Sequence, residues 1–204
     1  MEKVIIVEFQ NYIEKGGVIF SLLLIMSAIG LTIILYKFFE LYLLKNNDFK
    51  TFDNCLKKSK TISQFEQSLE NLTDNRFLKE IVNILQNKNS KNIKNDQIFI
   101  LMEKETEKMQ RFMPTLEIIA QVSPLIGLLG TVIGMIDSFN ELELGGSLVD
   151  PSILAGGIWT ALLTTAMGLI VAIPALISHY FFDRKILLKH KSTEEFIHKL
   201  ISIS

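Results

Sequence analysis

Between Arg111 and Arg184 the chain contains no lysine or arginine. A soluble domain rarely does without basic side chains for so long, so this stretch reads as bilayer-embedded. Cysteine is nearly absent as well. The only one, Cys55, has no partner for an internal disulfide and no second Cys or His beside it to complete a metal site, so it reads as a reduced thiol. Excess charge is also missing, with 21 Lys and Arg against 22 Asp and Glu and a formal net charge of -1. That balance gives no reason to expect a nucleic-acid partner.

What is present is apolar sequence in three runs: Gly16–Tyr36, Pro114–Phe139 and Pro151–Phe182. At a rise of about 1.5 Å per residue even the shortest reaches roughly 30 Å, the thickness of a bilayer's hydrocarbon core. Buried core helices average about 11–12 residues and seldom stay uncharged for some twenty, so the runs are read as transmembrane helices. Met1–Lys15 is not net basic, and no short apolar core ends in a small-residue cleavage site, so the first span is expected to be retained rather than cleaved as a signal peptide. The expected fold is an all-α integral membrane protein with three transmembrane helices at residues 16–44, 114–139 and 151–182. The second and third are expected to extend into a cytoplasmic helical domain.

Orientation follows the positive-inside rule. Residues 45–113 hold thirteen basic side chains, and the tail at 183–204 holds Arg184, Lys185, Lys189, Lys191 and Lys199. Both are expected in the cytoplasm. The loop at 140–150 carries Glu141, Glu143 and Asp150 and nothing basic, which places it outside, in the periplasm, together with residues 1–15.

The cytoplasmic middle reads as helices joined by polar breaks. Ser63-Gln64-Phe65-Glu66 fits a capping box for a helix over Thr61–Leu72, and Phe77, Ile81, Ile84 and Leu85 share one face of a helix over Asn75–Gln86. Gln86–Asn95, rich in asparagine and lysine, reads as a loop. From Asp96, a good N-cap, a charged helix with Glu103, Lys104, Glu105, Glu107 and Lys108 is expected to run through Arg111 into the second span. Phe196, Ile197, Leu200 and Ile201 form a short amphipathic stripe that extends or underlies the third span. His179, His190 and His198 are scattered rather than set at metal-ligand spacing, and no cofactor, metal or enzymatic chemistry is assigned.

The second span carries Gly127, Gly130 and Gly134, with Pro124 inside it, and the third adds Gly156, Gly157, Gly168 and Pro174. Small residues let bilayer helices approach closely, and the seam they form fits packing within one subunit as well as packing between subunits. Proline removes a backbone donor and bends a helix. The polar groups are Thr131 in the second span and Thr160, Thr164 and Thr165 in the third. Thr160 and Thr164 are four residues apart and share a face. Thr160 and Thr131 each lie about 12–13 Å from the outer end of its own helix, so the two sit at similar depth. Bonding back to the helix's own carbonyls is the simpler account of any one of them; a proton path is the functional one.

Neither long span has a carboxylate or a base in its middle, since Glu117 lies near the cytoplasmic end and Asp137 near the outer end. Threonine hydroxyls position a proton but do not hold one near neutral pH. Proton conduction therefore requires an acid from another chain, which makes a one-span partner with a membrane Asp or Glu a specific expectation.

The blocks SPLIGLLGTVIGMIDSF (Ser123–Phe139) and LAGGIWTALLTTAMGLIVAIPAL (Leu154–Leu176) resemble the MotA/TolQ/ExbB proton-channel family, in particular its ExbB and TolQ branch. The three-span layout agrees with that branch; the four-span layout of flagellar stator subunits does not fit. The resemblance implies an inner-membrane subunit of a pentameric ring around two copies of an ExbD- or TolR-like one-span protein. That partner's aspartate carries the proton, and proton flow powers a TonB- or TolA-like protein reaching the outer membrane. By motif, Thr131 and Thr165 match the family's threonines near that aspartate. Thr160 stands where the ExbB and TolQ pattern often has glutamate, so no acidic role is carried over. A non-conducting membrane scaffold, a channel complete in itself and a sodium-coupled motor are the competing readings.

Overall fold

The computed structural model describes residues 2–43, 76–86, 91–145 and 151–203, and among these every element is a helix. In chain order they are α1 (Glu2–Leu43), α2 (Arg76–Gln86), α3 (Lys91–Gln110), α4 (Met113–Gly145) and α5 (Pro151–Ile203). The capping-box segment at 61–72, Cys55 and the end of the expected outer loop lie outside the described residues. Three stretches are long and apolar enough to cross a membrane: Gly17–Leu41, the apolar part of Ile93–Leu144, and Leu154–Lys199. The chain is thus a multi-pass, all-helical membrane protein.

The chain divides into two compact units. The first comprises Met1–Lys37 and Phe112–Tyr180. Its core is built from Phe20, Leu23 and Ile33 of α1, Leu116, Ile119 and Ala120 of α4, and Ala161, Val171, Ala172 and Ala175 of α5, all buried. Leu125, Val132 and Ile136 of α4 and Leu162, Ile170, Ile173 and Ile177 of α5 are exposed instead, Ile177 by 64%. A soluble monomer rarely exposes so broad an apolar surface, whereas lipid or neighbouring helices cover it without cost.

Within α1 the helix kinks at Gly17, whose φ of 59° and ψ of -152° lie in a region open essentially to glycine alone. An added Cβ there meets nothing within 4 Å, so the cost of a side chain is purely one of backbone strain. Gly17→Ala is expected to destabilise the protein by roughly 1–3 kcal/mol, read as a lowered unfolding temperature in detergent.

The second unit comprises Phe38–Arg111 and Phe181–Ser204. Ile81 of α2, Ile98, Met102 and Met109 of α3, and Phe182, Ile186, Phe196 and Ile197 of α5 are its buried side chains. The helix over 76–86 forms as its apolar spacing predicts. Two expectations need correction. Helix α3 begins at Lys91, so Lys91–Asn95 is helical rather than loop and Asp96 lies inside the helix instead of capping it. Asparagine is a weak helix former by only about 0.7 kcal/mol, and the packing of α2 on α3 outweighs that preference.

The helix also does not run continuously into the second span: α3 stops at Gln110, α4 starts at Met113, and Phe112 between them has a φ of 69°. The cause is Pro114, which cannot donate to the Gln110 carbonyl and whose ring collides with it. Proline is tolerated in α4's first turn for the same reason. The new helix opens with the Leu116 amide donating to the Phe112 carbonyl at 3.1 Å. At its other end α4 continues past Phe139 to Gly145, so Glu141 and Glu143 are helical. The amphipathic stripe around Phe196 and Ile197 does extend the third span, because α5 is a single helix from Pro151 to Ile203.

His190 has a structural role in this second unit. Thr106 Oγ1 donates to the Met102 carbonyl at 2.9 Å and lies 2.8 Å from His190 Nδ1. The hydroxyl and the ring nitrogen are within hydrogen-bond distance, so the pair links α3 to the tail of α5. A double-mutant cycle of Thr106→Val and His190→Phe is expected to show a coupling of about 0.5–1.5 kcal/mol, and additive single effects would contradict the bond.

Candidate functional site

The glycines of the second and third spans meet each other. A Cβ added at Gly127 would lie 2.8 Å from the Thr164 carbonyl oxygen, 3.1 Å from Thr165 Cα and 3.3 Å from Gly168 Cα. One at Gly168 would lie 2.6 Å from the Ser123 carbonyl oxygen, and one at Gly134 3.3 Å from Ala161 Cβ. A Cβ at Gly157 would land on the Ser138 hydroxyl. Gly127, Gly130, Gly134, Gly157 and Gly168 therefore form one antiparallel seam between α4 and α5 inside a single chain. Gly156 stands apart, with nothing within 4 Å of its added Cβ. Pro124 and Pro174 lie inside α4 and α5, and both helices continue through them.

The seam has two distinct sides. Gly130 faces the Thr164 side chain and Ile19 of α1, and Gly30 of α1 lies against Ile119 of α4. Thr164 thus sits on the side covered by α1, is 2% exposed, and donates to the Ala161 carbonyl at 2.8 Å with a longer 3.3 Å contact to that of Gly127. Thr165, the next residue around α5, lies on the other side, and its half-buried hydroxyl donates to the Gly127 carbonyl at 3.2 Å. Thr131, one turn on from Gly127 along α4, falls on this second side. Its half-buried hydroxyl bonds back to the Leu128 carbonyl at 2.6 Å.

Thr160 is separated from that pair. It precedes Thr165 by five residues, roughly 140° around the helix, and donates to the Gly156 carbonyl at 3.0 Å. The four threonines are therefore not equivalent. Thr164 is sealed in the seam on the α1 side, Thr165 and Thr131 line the side away from α1, and Thr160 occupies the opposite edge of α5. Sequence spacing grouped Thr160 with Thr164, and the helical register alone could not say which of these edges α1 covers.

Sequence reasoning placed no role on Ser123 and Ser138, which the seam buries. Ser123 donates to the Ile119 carbonyl at 2.6 Å and Ser138 to that of Gly134 at 2.7 Å, so both hydroxyls are satisfied within α4 while the Ser123 carbonyl meets Gly168 and the Ser138 side chain meets Gly157. Their spacing from Gly127 and Gly134 was the available signal. Among the described residues no group of His, Cys, Asp and Glu is placed to hold a metal ion.

This glycine-packed helix pair with threonines along one side occupies the region that known proteins share with the chain. A model of the MotA/TolQ/ExbB proton channel family matches residues 69–195, more than half of the sequence. The chain belongs to this family. Its relatives place it in the ExbB and TolQ branch. It is 35% identical to the biopolymer transport protein exbB1 of Vibrio cholerae over 86 residues, 42% of this chain and 38% of that one. Against the putative biopolymer transport protein ExbB-like 1 of Synechocystis sp. the identity is 48% over 77 residues, 37% of this chain and 30% of that one. Against the Tol-Pal system protein TolQ of Haemophilus influenzae it is 40% over 80 residues, 39% and 35% of the two chains. The chain thus matches about a third of the length of these relatives.

Proposed function

We propose that the chain is the ring-forming subunit of an inner-membrane motor driven by the proton motive force, working with an ExbD- or TolR-like one-span protein to energise a TonB- or TolA-like protein that acts on the outer membrane. One observation carries the reading: Thr131 and Thr165 line the side of the α4–α5 pair that α1 leaves open, yet the middle of neither span contains a group that titrates near neutral pH. Hydroxyls so placed can receive and orient a carboxylate, but the proton must be carried by another chain. The ring is a homopentamer, as the family resemblance implies. The 45–113 and 183–204 segments face the cytoplasm because the basic residues concentrate there.

The energetics suit this role. One charge crossing the membrane potential yields about 2.3 kcal/mol per 100 mV, enough to bias a rotation step. Each threonine station contributes on the order of 1 kcal/mol, shallow enough for a partner carboxylate to leave it. Sodium is the alternative coupling ion, since hydroxyl and carbonyl oxygens also suit a hard cation. Activity that follows external sodium rather than pH would identify it.

Purification from the native membrane in mild detergent, with co-purifying proteins identified by mass, tests the reading. A one-span protein with an intramembrane Asp or Glu is the expected companion. Repeated recovery of the chain as a homo-oligomer alone would favour a non-conducting scaffold.

A further inference from the structure

The side of α4 that carries Thr131 has a second polar feature. Glu117, Gln121, Pro124, Leu128, Thr131 and Met135 recur at alternating four- and three-residue spacing and so form one stripe along the helix. Gln121 Nε2 donates to Glu117 Oε1 at 3.2 Å, and both residues are exposed. Ile118 and Leu125, exposed beside the pair on the same helix, are apolar. It lies on the opposite side of α4 from Ile119 and Gly130, where α1 packs.

Of the elements packed on α4, α5 brings a titratable group to the same end and the same side. His179 follows Thr165 by fourteen residues, two heptads along the same stripe, and is half-buried. Lys37 of α1, itself buried and beside the Tyr36 ring, belongs to the other side.

A charged side chain on the flank of a membrane helix is costly against lipid and cheap against a water-filled lumen. Glu117 is on the stripe that holds Thr131, so whatever lumen Thr131 faces, Glu117 faces too. The Gln121 amide, donating to Glu117 Oε1, holds the carboxylate on that stripe. Resting on the motor reading above, we propose that Glu117, positioned by Gln121, is the proton-release group at the cytoplasmic mouth of the path. It accepts a proton from lumen water about 21 Å along the helix from Thr131 and, as the neutral acid, returns it to bulk water.

The test uses the complete complex with its one-span partner in vesicles carrying a pH-sensitive dye. Glu117→Gln is expected to lower proton flux at least fivefold with assembly unchanged. Glu117→Asp is expected to keep most of the flux, and a small diffusible buffer such as imidazole on the cytoplasmic side should restore the Gln variant. Buffer rescue is the readout that a merely structural carboxylate would not produce. Unchanged flux in Glu117→Gln, or loss of assembly, overturns this role while wild-type flux still upholds the motor. Absence of flux in the wild-type complex overturns the motor itself.

Discussion

Gly168→Ala is expected to lower the stability of the protein by about 1–3 kcal/mol and to reduce the yield of assembled complex, while Gly156→Ala leaves both intact. Alanine is the better helix former by up to about 1 kcal/mol, so propensity alone would make both changes favourable. The surroundings decide otherwise. At Gly168 the new methyl would meet the Ser123 carbonyl at 2.6 Å and Gly127 Cα at 3.1 Å, both backbone atoms that cannot rotate aside. At Gly156 there is nothing within 4 Å. Thermal unfolding in detergent, followed by circular dichroism and size-exclusion profile, reads the difference. Equal behaviour of the two variants would mean that α4 and α5 do not pack at this seam.

The second large effect is functional. Thr165→Val is expected to lower energy-dependent activity at least tenfold with little loss of stability, because the bond removed is a long one to an exchangeable acceptor. Thr164→Val should do the reverse. That side chain is enclosed between Gly130 and the Ala161 carbonyl, so the change costs packing and roughly 1 kcal/mol of hydrogen bonding at a hydroxyl sealed inside the chain. Thr131→Ala belongs with Thr165→Val. The adjacent threonines share the Gly127 carbonyl, which makes the contrast a stringent one. Activity measured as proton flux, alongside the recovery of assembled complex, separates them. Parallel loss of assembly and flux in Thr165→Val would instead favour the scaffold reading.

These expectations show where sequence carried the account and where it stopped. The missing Lys and Arg between 111 and 184 and the three apolar runs gave the membrane helices, because the cost of burying charge in lipid is written directly in composition. The glycines announced a close seam, but spacing left open whether it lay within or between chains; the facing of Gly127 on Gly168 and Gly134 on Ala161 answers that. The break before α4 was legible in Pro114, which acts on the carbonyl four residues earlier, though the charged helix around Glu103–Lys108 suggested continuity. The start of α3 was misread because local capping preference at Asp96 is weaker than the packing around Ile98. The sorting of the threonines depended on which side of the seam α1 covers, a tertiary fact with no local sequence signal.

Proton flux into vesicles, compared for the chain alone, for its complex with the one-span partner, and for that complex with the partner's membrane carboxylate changed to its amide, tests the central claim most directly. The account predicts flux only in the intact complex, with the chain alone silent and the amide variant blocked. Flux from the chain alone at the same rate, or flux indifferent to the partner's carboxylate, would contradict it.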